Sequence, residues 1–334
     1  MALRYIERDN RKTSMDTPLI SIGITYYKAS ETVEKAVLSA FAQTWDNTEI
    51  IIVDDCSDDG QQDMLDALQQ KDPKIHVIHH AENKGVAAAR NTIIHRAKGE
   101  FLAFFDDDDE SLPERLEKQY QRIVNYEDEF SEGQPVICHT ARLQKYPDGQ
   151  ERYEQTMGTN EKSTAPHGKS VALRTLTGKP ETDIFGSTAT CSQMARLSTY
   201  KDLNGFDETF RRSEDTDFNI RASMKGAHFP GISEALVIQT MTLASDKKLS
   251  DEKHYALKLL EKHKDFIEQH DNYQFCHAWL TSKYDFLQKQ NRHFLLNITA
   301  LFFKHPVSTL KRFLWALPNI GFNLRFISFH HDKK

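Results

Sequence analysis

Apolar and polar positions alternate between two periods along the first third of the chain. Leu19 to Thr25 is a continuous apolar, β-branched run behind Pro18, which predicts a buried strand. Beyond it, Val33, Ala36, Val37, Ala40 and Phe41 recur at i, i+3, i+4, i+7 and i+8, the spacing of one helix face. Ser30 stands as the expected N-cap and Glu34 falls in the first turn. The cycle then repeats, with Glu49 to Val53 as strand, Gln61 to Gln69 as helix, Ile75 to His79 as strand, Val86 to Ala97 as helix and Phe101 to Phe105 as strand. Such alternation predicts parallel βαβ units, and so an α/β fold with a mostly parallel central sheet flanked by helices.

From Ser250 onward the helical period returns, with Ala256, Leu259, Leu260, His263 and Ile267 on one face and later Phe294, Ile298, Leu301 and Phe302. This predicts a C-terminal helical appendage, in keeping with 334 residues as one large domain plus a smaller part. Charge sharpens the division. Of a net charge of -6, residues 291–334 hold seven Lys/Arg against one Asp, leaving -12 for the rest. Phe294 to Phe329 mixes Phe and Trp315 with Lys304, Lys311, Arg312 and Arg325, as in a helix lying in a membrane interface near anionic lipid. A bundle packed on the body, or a homodimer contact, fits the same pattern.

Composition excludes several classes. With 39% hydrophobic and 28% charged residues the chain is neither low in complexity nor biased to disorder. The four cysteines are far apart and form no CxxC pair, which points away from a disulfide scaffold or zinc site and towards a reducing cytosol. Residues 1–16 alternate charge and polarity without an apolar core, so they read as a flexible leader rather than a secretory signal. No run approaches the roughly 18 apolar residues of a spanning helix.

In open α/β sheets, ligands collect at the carboxyl ends of the strands. Three such ends carry polar clusters: Thr25-Tyr26-Tyr27, Asp54-Asp55 and Asp106 to Asp109. Mg²⁺ and Mn²⁺ take hard oxygen ligands and are usually held by one or two carboxylates plus substrate phosphates, so the four aspartates are a candidate metal and diphosphate site. An acidic run can also be a solvated turn or a helix cap, but four like charges directly after Phe101 to Phe105 repel one another and favour the metal reading. Asn83-Lys84-Gly85 opens into the small-residue stretch Ala87-Ala88-Ala89-Arg90, which puts Lys84 or Arg90 either near an anion or on an exposed helix face.

The order of these pieces resembles the family 2 glycosyltransferases. The matching strings are ISIGITYYKASETVEKAVLSAFAQTWDNTEIIIVDDCSDDG, NKGVAAARNTIIHRAKGEFLAFFDDDDESLPERLEKQ and LNGFDETFRRSEDTDFNIRASMKG, which together span about Pro18 to Pro230. The resemblance implies a GT-A fold, which is Rossmann-like, and a nucleotide-sugar donor, a UDP-sugar by expectation. It also implies that Thr25 and Tyr27 flank the nucleotide base, that Asp55 recognises the base and that Arg90 lines the same pocket. Asp108 is the implied metal ligand, with Asp106 beside it. Asp106 and Asp107 lie near the ribose, diphosphate or donor sugar, and the cofactor is Mn²⁺ or Mg²⁺. The acidic pair Glu214-Asp215 supplies the inverting chemistry, with Asp215 deprotonating the acceptor hydroxyl. Read alone, Asp215 is equally a helix N-terminal charge favoured by the macrodipole. Gly186 to Met194 is placed by position alone at the donor-sugar and acceptor pocket.

Two departures fall in the base pocket: Lys28 where the family often has Asn, and Cys56 where Gly is frequent. No QxxRW string follows the acidic pair, so transfer of one sugar is expected rather than processive synthesis. The expected division is a leader at 1–16, a glycosyltransferase domain at 17–245 (nucleotide-binding half 17–130, donor-sugar and acceptor half 131–245) and a basic helical region at 246–334. Expected partners are a saccharide acceptor, lipid-linked if the basic region meets a membrane surface through 291–329, and no nucleic acid. The chain is then cytoplasmic, or peripheral on the inner face of the plasma membrane. Competing readings are a catalytically inactive nucleotide-sugar or glycan-binding relative and a nucleotidyltransferase. The latter would normally carry a Gly-rich phosphate loop where this chain has TYYKASET.

Overall fold

The computed structural model describes residues 17–60, 62–181, 184–241 and 248–317. The leader at 1–16, the boundary between 245 and 246 and residues 318–334 lie outside them. The first half runs β1 (Ile20–Tyr26), α1 (Val33–Phe41), β2 (Thr48–Asp54), α2 (Gln62–Lys71), β3 (Ile75–His79), α3 (Val86–Arg96) and β4 (Phe101–Asp106), the predicted βαβ series. Ser30 is not the cap of α1. A turn in which Thr32 and Val33 both donate their N–H to the Ala29 carbonyl at 3.0 Å delays the helix, and Thr32 takes the cap position.

There follow β5 (Glu110–Ser111), α4 (Arg115–Glu129), β6 (Ile137–Lys145), β7 (Glu151–Glu154), α5 (Gly168–Thr177), β8 (Gln193–Arg196), α6 (Leu197–Asp202), α7 (Glu214–Met224) and β9 (Gly231–Thr240). Last come α8 (Leu249–Lys262), α9 (Lys264–His270), α10 (Tyr273–Leu287), α11 (Asn291–Lys304) and α12 (Pro306–Ala316). The strands form one sheet in the order β3-β2-β1-β4-β8-β6-β9-β5, with β7 on β6. Pairing is parallel from β3 to β4 and mixed beyond, because β8 enters antiparallel to both β4 and β6.

Successive side chains of a strand point to opposite faces, so β2 and β4 feed two cores and β1 feeds one. Ile20, Ile22 and Ile24 pack with Val33 and Val37 of α1 and with Leu116 and Ile123 of α4. Ile51, Val53, Leu102 and Phe104 pack on the other face with Ala89 and Ile93 of α3 and Phe218 of α7. Gly23 lets α3 approach β1, since a Cβ there would sit 2.5 Å from Ile93 Cγ2. A third core joins Leu176 of α5 and Ile220 of α7 to Leu259, Leu260, Ile267 and Cys276 of the C-terminal helices. Those helices therefore dock on the helix that starts at Glu214. No described helix is long and apolar enough to cross a membrane.

Candidate active site

Sheet register assembles the site. Thr25 pairs with Val53 on one side and Asp106 on the other, and Tyr26 pairs with Asp54, so the three polar strand ends meet along one edge. The loop after β1 is tied to the acidic run by the Tyr27 N–H, which donates to Asp107 Oδ2 at 2.9 Å. The Tyr27 ring stays 46% exposed, available as a stacking face. Lys28 and Cys56, the two departures, both have left-handed backbones, at φ 53° and 62°. Asn and Gly tolerate that region best, which is why those residues suit these turns.

Asp54 and Asp55 are both buried. Asp54 accepts from the Ser57 N–H at 2.9 Å and lies 2.9 Å from His79 Nδ1. Asp55 accepts from the N–H groups of Lys84 and Gly85 at 2.9 and 2.7 Å and lies 2.7 Å from His80 Nδ1. The carboxylate thus holds the Asn83-Lys84-Gly85 turn against the end of β2. Lys84 enters this arrangement through its backbone.

Arg90 is buried within α3 rather than exposed. Its Nη1 donates to Glu214 Oε1 at 2.5 Å, its Nη2 lies 3.5 Å from Asp106 Oδ1, and its Cζ lies 5.9 and 5.4 Å from the ring centroids of Phe104 and Phe206. One guanidinium so joins the end of β4 to the start of α7. Burial pushes the Glu214 carboxyl up to about 7 against the pull of Arg90. Asp215, half-buried, follows Ser213 in the first turn of α7; its Oδ1 accepts from the Thr216 N–H at 2.6 Å.

Within the acidic run, burial and the neighbouring carboxylates of Asp108 and Asp106 push Asp107 up to about 8, with the Tyr27 N–H opposing. Oxygens of Asp106 and Asp109 lie with Cys191 Sγ within 4.8 Å of one another. Asp109 is 6% exposed; its Oδ1 accepts from the Thr240 N–H at 3.1 Å, while its Oδ2 finds no hydrogen-bond partner among the described residues. A hard divalent cation fits such donors, since it would neutralise crowded carboxylates and complete the coordination of that oxygen. Burial pushes the Cys191 thiol well up, and a protonated thiol is a poor ligand, so the fitting donors are the carboxylates. Asp106 belongs both to this group and to the set implied by sequence. Asp109 lay in the candidate acidic run but was given no role of its own, Cys191 was not singled out as a ligand, and Asp108 is not part of the geometric group.

The 186–194 segment crosses between the two halves of the site. Ser187 accepts from Arg142 at 2.7 Å, Cys191 meets the acidic run, and Gln193 donates to Asn219 of α7 at 3.0 Å. A buried tie behind α7 had no sequence signal beyond the Asp217–Arg221 spacing of i, i+4. Asp217 is 0% exposed and bonds Arg221 at 2.8 Å, Lys262 at 2.7 Å and His263 at 3.0 Å, fastening α8 to the helix of Glu214 and Asp215.

The sequence model described as Glycosyl transferase family 2 matches residues 21–180. Residues 21–180 therefore carry the sequence pattern of the family 2 glycosyltransferases. The matched segment holds Thr25, Tyr27, Asp55, Arg90 and Asp106 to Asp109, and stops before Glu214. Among similar proteins, the putative teichuronic acid biosynthesis glycosyltransferase TuaG of Bacillus subtilis is 40% identical over 114 residues, 34% of this chain and 45% of that one. WfgD of Escherichia coli, a UDP-Glc:alpha-D-GlcNAc-diphosphoundecaprenol beta-1,3-glucosyltransferase, is 34% identical over 125 residues, 37% of this chain and 49% of that one. The chain thus spans about half the length of these relatives. The structure of S. aureus TarS 1-349 in complex with UDP superposes with a TM-score of 0.56 at 19% identity, covering 80% of this chain and 71% of that one. The glycosyltransferase domain therefore has the GT-A fold, extended by the C-terminal helices.

Proposed function

We propose that this protein transfers one sugar, with inversion, from a nucleotide-diphosphate-sugar to a hydroxyl of a saccharide acceptor in cell-surface polysaccharide or glycolipid synthesis. The observation that carries the reading is Arg90, which joins an acidic strand end suited to a donor diphosphate to the helix bearing Glu214 and Asp215. A UDP-sugar is favoured as donor because TarS, with the same fold, is described in complexes with UDP and with UDP-GlcNAc. A lipid-linked acceptor follows the name of WfgD.

Tyr27 and Thr25 flank the base beside Asp55, and Asp107 and Asp106 face the ribose and diphosphate. Asp106 with Asp108, or with Asp109 as the geometric group suggests, holds Mn²⁺ or Mg²⁺. A bound divalent cation offsets the charge that develops on the departing diphosphate. The acceptor oxygen attacks the anomeric carbon as the bond to the diphosphate breaks, and its proton passes to Asp215. Glu214 is a poorer base, because it is buried and committed to Arg90, whereas Asp215 is half-buried with Oδ1 oriented by Thr216. The basic region from 291 is placed against a membrane surface on the cytoplasmic side, where a lipid-linked acceptor would be met.

Asp215→Asn tests the base. Donor affinity should stay near wild type while sugar transfer to an acceptor saccharide falls by about 10²-fold or more. Loss of donor affinity together with transfer would instead make Asp215 a structural residue.

A further inference from the structure

A cleft of ≈ 160 Å³ opens where α12 meets α10 and the end of α5, lined by Lys179, Asp271, Phe275, Lys311, Arg312 and Trp315. Arg312 is 5% exposed, with its guanidinium over the rings of Phe275 and Trp315 at 5.9 and 5.5 Å. Its only hydrogen bond among the described residues is a long one, from Nη2 to Cys276 Sγ at 4.0 Å, and it has no carboxylate there within ion-pair distance. Burying a guanidinium without an anion is costly. Lys179 and Lys311 stand exposed at the mouth, also outside any ion pair among the described residues, so three cations face the single carboxylate of Asp271.

The side of α12 away from the cleft is apolar. Val307, Leu310, Leu314 and Leu317 follow one another at i, i+3, i+7 and i+10 and are 65, 55, 55 and 56% exposed. On the neighbouring α11, Leu295, Leu296, Phe302 and Phe303 are exposed as well, Phe303 by 82%. Residues 291–317 contain no Asp or Glu. Such an apolar face, free of carboxylates and bordered by cations, suits the boundary of an anionic bilayer, where Trp side chains also settle.

We infer that the cleft between α10 and α12 is a phospholipid headgroup site, in which Lys179, Lys311 and Arg312 bind the phosphate of an anionic lipid while the outer face of α11 and α12 enters the acyl boundary. The inference rests on the membrane placement proposed above and adds the phosphate-binding residues. Arg312 supplies the buried charge that the phosphate completes, and the two lysines reach it from the mouth. This anchoring sets which face of the protein meets the bilayer.

Co-sedimentation of the full chain with vesicles of phosphatidylcholine, alone or mixed with phosphatidylglycerol, tests it. Wild type should sediment with the mixed vesicles and remain free of the neutral ones. Lys179→Ala with Lys311→Ala should weaken that binding on the order of thirtyfold, taking about 1 kcal/mol per surface cation, with UDP affinity unchanged. Leu310→Ser with Leu314→Ser should abolish it. Unchanged vesicle binding in the lysine pair, with loss in the leucine pair, would overturn the headgroup site and leave the membrane placement standing. Absence of wild-type binding would overturn both. So would a dimer in sedimentation velocity that the leucine pair dissociates and that ignores vesicles, since the face would then be a contact between copies. Thermal stabilisation by soluble glycerol phosphate that needs both lysines, without vesicle binding, would also sink the lipid assignment.

Discussion

Replacing Arg90 by Met removes the group that joins the two halves of the site, and the consequence follows from burial. Arg90 and Glu214 are 6 and 7% exposed and 2.5 Å apart, so the substitution strands a carboxylate away from water. Breaking a buried pair by deleting one partner costs about 3–5 kcal/mol. Glu214 has an escape. Burial already holds it at about 7 with Arg90 present, and without that cation it rises further, so near neutrality it takes up a proton. The cost should therefore sit at the lower end, about 3 kcal/mol. In both proteins the folded value lies above the unfolded carboxyl value of about 4.3, so stability is full below it and falls as pH rises through the folded value. That fall ends near pH 7 in wild type and continues above it in the variant. The deficit should thus widen above neutrality, by up to about 1.4 kcal/mol per pH unit. Urea denaturation across this range measures it, and adding Glu214→Gln should remove the pH dependence. A deficit below about 1 kcal/mol, or one that does not change with pH, would refute the buried bridge.

Two further substitutions probe the frame. Asp217→Asn should cost about 3 kcal/mol by denaturation, because Arg221, Lys262 and His263 all lose a fully buried carboxylate partner. Although burial works against it, His263, Lys262 and Arg221 hold Asp217 well below the usual carboxylate range. Its contribution is present above about pH 4 and lost as pH falls further, so the variant should show a smaller acid-induced loss than wild type. Cys56→Gly, at φ 62°, should raise stability by up to about 1 kcal/mol, since relief of the left-handed strain exceeds the added chain entropy. A lower melting temperature would contradict that account of the departure.

The parallel half was legible because β2 and β4 are apolar on both faces, β1 on one, and the helices keep one period, so the strand-end motifs at Thr25, Asp54-Asp55 and Asp106 could be assembled from order alone. The mixed half was not. Strand β6 buries His139, Thr140, Arg142 and Gln144, and such polar positions erase the apolar pattern that marks a buried strand. Arg90 could be read as exposed or anion-facing because its partner Glu214 is 124 residues away and its ring neighbours Phe104 and Phe206 come from other elements. The proximity of Asp109 to Cys191 depends on a strand crossing between distant segments, and no local spacing encodes that. In the C-terminal region Leu259, Leu260, His263 and Ile267 of the first face are buried and Ala256 is half-buried, although the helix breaks at His263. Of the later face, Leu301 is buried whereas Phe302 is 51% exposed.

The central claim is that the acidic end of β4 holds a divalent cation and through it the diphosphate of a nucleotide sugar. Calorimetric titration of UDP into the purified full chain, with Mn²⁺ and then with EDTA, tests it most directly, with Asp108→Asn and Asp109→Asn in parallel. The account predicts binding that requires the metal and a loss of at least tenfold in affinity in whichever variant removes a metal ligand, since one lost charge contact is worth about 1.5–3 kcal/mol. UDP affinity that ignores EDTA and both substitutions, or no UDP binding at all, would contradict it.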